Sequence, residues 1–199
     1  MSDQPSREVR NLNALLDVAK ALGAEMQLDN LLPVIISKTT EVIDAERSSL
    51  FIYDEETNEM WSKVAEGMDS KEIRFPVGVG IAGDVAKTLK TVNIPDAYKD
   101  NRFNPAFDKE TNYRTKSILC MPMLNNEGAL VGVVQVLNKK DGSRFDDKDE
   151  SLLEALSVQA GVAIQRARLL EAFVEKQRIQ ESLKLAADIQ MGMLPKDFP

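Results

Sequence analysis

Apolar residues return at three- and four-residue steps near the start of the chain. Val9, Leu12, Leu16 and Ala19 mark one stripe of a helix, and Gly23 is a stop for it. A second helix follows, capped at Asp29 and turning Leu32, Ile35, Ile36, Thr39 and Ile43 inward, with Pro33 tolerated in its first turns. From Ser48 the period changes to two. Residues 48–53 and 60–65 read as the strands of a hairpin about the polar link 54–58. Residues 73–77 form a short extended piece whose Pro76 suits a sheet edge or a strand end. Gly78, Gly80 and Gly83 lead into a short helix, and residues 91–94 give another strand. Residues 117–123 and 130–137 make a second hairpin across 125–128. The run 130–134 is apolar on both faces, which predicts a central strand.

Between the two halves lies a polar connection, residues 96–116, carrying the aromatics Tyr98, Phe103 and Phe107. A connection of that length without periodicity is uncommon unless it serves a function. The last segment predicts a long helix capped by Asp146 or Asp147, with Asp149 and Glu150 at its positive end. Leu153, Leu156, Ala160, Ala163, Ala167, Leu170 and Val174 keep heptad-like spacing. Past the polar Gln177 and Glu181, Ile179, Leu183 and Ala186 restart it in a shifted phase, which reads as a stutter. The order of elements predicts an α+β fold, an antiparallel sheet with the helices packed on one face.

Composition narrows the function. At 199 residues, 43% hydrophobic and 29% charged, the chain is that of a folded domain with an extension. A formal charge of −7 disfavours nucleic acid as a partner. No apolar run reaches the ~18–20 residues of a membrane span, and the N-terminus has no apolar secretory region. With a single cysteine, Cys120, this favours the cytoplasm. The chain has no histidine, which removes Ser–His and Cys–His dyads and His-based zinc sites. The expectation is therefore a binding module with no catalytic residues, no metal and no cofactor.

Two constellations carry chemistry. Residues 78–83 place a glycine-rich turn before a helix, where free backbone N–H groups can hold an anion without any lysine; the same glycines also serve as plain turn geometry. Asn138-Lys139, Phe145 and Asp149-Glu150 sit where the last strand crosses to the long helix, as a pair fixing that crossing or as a surface loop with a helix cap. Those five residues match the NKFDE signature of cyclic-nucleotide-binding GAF domains, as in mammalian phosphodiesterases and cyanobacterial adenylyl cyclases. Residues 80–86, 93–98, Arg102-Phe103 and 117–123 also resemble phosphodiesterase GAF domains, in order, so that the likeness covers roughly 28–170.

That resemblance implies a fold with a central antiparallel sheet of about six strands, and a pocket for cyclic AMP or cyclic GMP. It implies ligand contacts at Ser49 and at the Ile81-Ala82 backbone, and at Asp108, Thr111 and Thr115 as pocket-lining positions of the lid; helix capping is an equal reading for the two threonines. Where some members carry an aromatic and an acid on the second strand, this chain has Ala65 and Glu66, which loses purine stacking and keeps an acceptor. The NKFDE residues Asn138, Lys139, Phe145, Asp149 and Glu150 are expected to support the pocket structurally. Cys120, within an apolar strand, reads as a buried, inert thiol.

Residues 185–199, with Ile189-Gln190, Met193-Leu194-Pro195 and the closing Phe198-Pro199, resemble the entry of bacterial PPM-class serine phosphatases; a simple helix end with a proline tail is the other reading. The expected organisation is an N-terminal dimer-bundle helix over 1–27, a GAF sensor over 28–170, a signalling coiled-coil linker over 171–194 and the start of a phosphatase at 195–199. The function implied is a cyclic nucleotide-like sensor that forms a homodimer through its terminal helices and controls that phosphatase. The alternative is a ligand-free dimerisation and docking scaffold.

Overall fold

Alternation along three long strands decides the architecture. In the structure, a computed structural model describing residues 7–62 and 73–193, the strands are β1 (Ala45–Asp54), β2 (Glu59–Ser62), β3 (Ile73–Pro76), β4 (Val92–Ile94), β5 (Ile118–Leu124) and β6 (Leu130–Lys139). They form one antiparallel sheet in the order β3-β2-β1-β6-β5-β4. The apolar run in β6 is central, and Pro76 ends the edge strand β3. The expected second strand continues past residue 62 into residues outside the described ones.

Successive strand residues face opposite ways. Leu50 and Ile52 of β1, Leu119 and Met121 of β5, and Val134 and Val136 of β6 meet three helices: α1 (Arg7–Ala24), α2 (Leu28–Ile43) and the long α5 (Asp147–Met193). The terminal helices thus share one face, and the fold is α+β as expected. On the other face Ile118, Cys120 and Val133 pack under α3 (Gly80–Thr88), through Ile81, Val85 and Ala86. A short α4 (Ala106–Thr111) lies within the long polar connection.

Three local expectations need correction. Helix α2 starts at Leu28, with Gln27 at the cap position and no side-chain cap bond; Leu31 N–H donates to the Gln27 carbonyl at 2.9 Å, so Asp29 falls inside the first turn. There its charge still suits the helix dipole. Helix α1 docks through Leu15, Val18 and Leu22, and leaves Leu12 and Leu16 exposed. Its last carbonyls, those of Leu22 and Gly23, and that of Glu25 just beyond, accept hydrogen bonds from the Arg166 guanidinium of α5.

The third concerns α5. Asp146 caps it, its Oδ1 accepting from the N–H groups of Lys148 and Asp149, both at 3.0 Å. Leu153, Leu156, Ala160, Ala163 and Ala167 are all buried against the domain body, so the first heptad-like seam is the stripe by which α5 packs on its own domain. The approach is close, because a methyl at Gly161 would be driven into the Leu124 carbonyl oxygen. Gly161→Ala is expected to destabilise by about 1–3 kcal/mol through overpacking, read as a lower midpoint in urea unfolding. From residue 171 to 187 the helix overhangs the body with every position exposed.

Candidate functional site

The face of the sheet away from the long helices carries a cavity of about 350 Å³, within the ~300–1,000 Å³ usual for small-molecule sites. Its floor is set by strand alternation. Arg47, Ser49 and Phe51 of β1 point into it, with Gln135 and Leu137 of β6 beside them, since Ser49 pairs with Gln135 and Arg47 with Leu137 in the ladder. One wall is the first turn of α3, Gly80, Ile81 and Ala82. The glycines before it are needed for conformation: Gly78 and Gly80 have φ of +94° and +69°, a region costly to other residues. Val79 at the cap position brings no side-chain bond, so the first turn of α3, which lines the cavity, has no side-chain cap acceptor for its N–H groups.

The lid is the connection after β4. Within it the buried Asp108 carboxylate accepts from the Tyr98 hydroxyl at 2.9 Å, and from Thr115 through N–H and hydroxyl, each at 2.7 Å. The Thr111 hydroxyl donates back to the Phe107 carbonyl at 2.8 Å. Asp108, Thr111 and Thr115 therefore do line the cavity, but their polar atoms are committed to holding the lid in shape.

Three arginines line the cavity, and their partners differ. Arg102 is held by Asp100 and Asp84, each at 2.6 Å, and these carboxylates raise its already high pKa. Arg74 meets Asp54 and Glu59 at 3.2 and 3.8 Å. Arg47 sits over the Tyr113 ring, its guanidinium carbon 3.9 Å from the centroid, with no carboxylate among the described residues at ion-pair distance. Ser49, Gln135 and Arg47 are the floor groups left available to a polar ligand. The spacing of residues 47, 49 and 51 could have revealed Arg47; Gln135 could not be found without the strand register.

The lid is fastened to the sheet by Asn138, at the end of β6, where φ is +49°. Its Oδ1 accepts from the N–H groups of Lys116 and Ser117, and its Nδ2 reaches Glu46, the Tyr113 hydroxyl and the Arg114 carbonyl at 2.9–3.0 Å. These bonds from Asn138 and Tyr113 hold the Glu46 carboxyl below the usual range. A depressed acid stabilises the folded form above its unfolded pKa and loses that effect as pH falls through its folded value. Glu46→Gln should therefore flatten the loss of stability below pH ~4, followed by unfolding across an acid series.

Next along the chain, the buried Lys139 ammonium bonds both Asp149 oxygens, at 2.8 and 2.9 Å, tying β6 to the start of α5. Glu150 and the Phe145 carbonyl accept from the Asn93 amide of β4, and the Phe145 side chain is buried in the helix-side core. None of these five residues lines the cavity. Ala65 and Glu66 lie outside the described residues.

A family model for the GAF domain matches residues 27–164. The chain belongs to the GAF family. Among curated proteins, this chain is 35% identical over 192 residues to a probable 3',5'-cyclic phosphodiesterase (pde-5) of Caenorhabditis elegans, a match covering 89% of this chain and 25% of that protein. It is 38% identical over 169 residues to a dual 3',5'-cyclic-AMP and -GMP phosphodiesterase of Takifugu rubripes, covering 79% and 19%. The chain thus spans a quarter or less of the length of these relatives. Among solved structures, the GAF domain of a phosphoenolpyruvate-protein phosphotransferase from Coxiella burnetii aligns with a TM-score of 0.74 at 22% identity, covering 84% of this chain and 99% of that one. A free methionine-R-sulfoxide reductase from Neisseria meningitidis aligns at 0.69 and 16% identity, covering 84% and 96%. At such identities the structures share the fold alone.

Cys120 sits under α3 and is fully buried, which pushes its thiol pKa up. It should resist a thiol reagent at neutral pH in the folded protein and react only after denaturation, a difference read by mass spectrometry. Among the described residues no group of acidic or cysteine side chains is placed to hold a metal ion, and no helix is long and apolar enough to cross a membrane.

Proposed function

We propose that this GAF domain is a regulatory sensor whose cavity takes a cyclic nucleotide. The observation that carries the reading is the pairing, across one cavity, of available floor groups (Arg47, Ser49, Gln135) with the first turn of α3. Donors at a helix start suit a cyclic phosphate in an otherwise acidic chain, and the floor offers both donors and acceptors to a purine. The relatives, a probable 3',5'-cyclic phosphodiesterase and a dual 3',5'-cyclic-AMP and -GMP phosphodiesterase, support the ligand class. Ser49, Ile81 and Ala82 are assigned to ligand contact, as are Ala65 and Glu66, which lie outside the described residues. Asp108, Thr111 and Thr115 are assigned to the lid, and the NKFDE residues to its support.

Ligand closing the lid acts on Asn138, whose neighbour Lys139 holds the start of α5. The signal then passes along residues 171–194 to a phosphatase beginning at 195–199, residues outside the described ones; the phosphatase-like run at 185–199 supports this part. Residues 1–27 and the distal part of α5 join two copies as a homodimer. Regulation of this kind requires a ligand with different affinity for two states. The segment itself is regulatory, and catalysis belongs to the attached domain.

Displacement of a fluorescent cyclic nucleotide tests the reading. Unlabelled cyclic AMP or cyclic GMP should compete, and Ser49→Ala should weaken binding roughly twofold to tenfold, as for one neutral hydrogen bond. The absence of stacking at Ala65 favours the second reading, a ligand-free scaffold. A protein that dimerises yet takes up no labelled nucleotide would establish that one.

A further inference from the structure

Tyr113 touches two opposite charges and keeps them apart. Its direction is set by Asn112, which closes α4 in the left-handed region at φ +48°, a conformation asparagine tolerates. The Tyr113 N–H then donates to the Asp108 carbonyl at 3.0 Å, which fixes the residue to the lid. Its ring meets the Arg47 guanidinium, and its hydroxyl donates to the Glu46 carboxylate at 2.7 Å. Glu46 and Arg47 are adjacent on β1, yet no ion pair joins them. Arg47 lines the cavity and Glu46 does not. A carboxylate beside a guanidinium would ordinarily claim it through charge-assisted bonds. Here the Tyr113 hydroxyl and the Asn138 amide, at 2.7 and 2.9 Å, both occupy the same Glu46 oxygen. Burial and the Glu46 carboxylate push the Tyr113 hydroxyl up, so it stays a donor at neutral pH. The ring face attracts the cation, which leaves the guanidinium N–H groups to the cavity.

We propose that Tyr113 is a positioning residue of the cavity: its hydroxyl draws Glu46 away, its ring holds Arg47, and a free cation stands on the floor only while the lid is seated. The inference rests on the cyclic-nucleotide reading for its ligand, and adds which lid residue prepares the floor. Tyr113 belongs to the connection 96–116, whereas Arg47 and Glu46 belong to the sheet. Opening the lid therefore withdraws ring and hydroxyl together. Arg47 then turns to Glu46, and the floor loses its charge. By the same coupling, a ligand that bonds Arg47 favours the closed lid over the open one.

A double-mutant cycle in the full chain, read by displacement of labelled cyclic AMP and cyclic GMP, tests it. Tyr113→Leu should weaken binding roughly tenfold. In an Arg47→Ala background the same change should cost nothing further, because Tyr113 acts through Arg47. Tyr113→Phe keeps the ring but frees Glu46, so it should weaken binding roughly threefold, and adding Glu46→Gln should restore it. Equal losses from Tyr113→Leu with and without Arg47 would make Tyr113 a packing residue of the lid and overturn the proposal. Full affinity in Tyr113→Phe, or a loss that Glu46→Gln leaves in place, would overturn it as well. A second readout needs no ligand. The Tyr113 ring current should move the Arg47 side-chain protons upfield in NMR, an effect kept in Tyr113→Phe with Glu46→Gln and lost in Tyr113→Leu. If neither nucleotide binds, the ligand reading fails and this shift decides alone. A shift that depends on Tyr113 upholds the positioning, and unshifted Arg47 protons in the native chain overturn it.

Discussion

Asp149→Ala is expected to destabilise the domain by about 3–5 kcal/mol, or roughly 6–20 °C in melting temperature. Lys139 and Asp149 side chains are only 9% and 5% exposed, and their ion pair joins the last strand to the first turn of α5. Asp149 also accepts the Asp146 N–H at 2.9 Å, so the same carboxylate helps shape the helix start. Removing it leaves an ammonium buried without its counter-charge, and the cost of that exceeds the worth of the pair itself. Replacing both residues, Lys139→Met with Asp149→Leu, should recover most of the loss, because no buried charge is then orphaned. A loss below 1 kcal/mol for the single change would mean that water reaches Lys139 and that the crossing is not held by this pair.

Asp108→Ala is expected to act on the lid and to leave the rest of the fold largely intact. The carboxylate gathers the Tyr98 hydroxyl and the N–H and hydroxyl of Thr115. Without it those donors must find water, at about 1–3 kcal/mol for each group left buried, which the lid avoids by opening. A ligand that binds the closed lid then loses affinity in proportion to the closed population. Cyclic nucleotide affinity should fall at least tenfold, and amide exchange should rise across residues 97–116 while core strands stay protected. Unchanged exchange in that segment would show that Asp108 does not hold the lid.

Much of this was legible in the sequence because strand alternation and helix periodicity are local. Residues 48–53 and 130–134 declared their strands, and the glycines at 78 and 80 declared the turn into α3, where positive φ is required. What escaped depends on long-range pairing. Gln135 faces the cavity beside Ser49 only because β1 and β6 pair in one particular register. Asp108 and Thr115 were read as groups for a ligand, but each is the other's partner, seven residues apart across a short helix. Spacing alone cannot tell a helix stripe that faces its own domain from one that faces a partner. The buried Ala160, Ala163 and Ala167 settled that for α5. The cap lies two residues before Asp29, because Gln27 supplies the first carbonyl.

The floor, the α3 turn and the lid converge on one claim, that the cavity is a cyclic-nucleotide site. Isothermal calorimetry of the 199-residue chain with cyclic AMP and cyclic GMP tests it most directly. The account predicts saturable heat with one site per chain for at least one of the two, diminished by Ser49→Ala and by Asp108→Ala. Absence of heat for both at high micromolar ligand, from protein that is folded and dimeric, would contradict it.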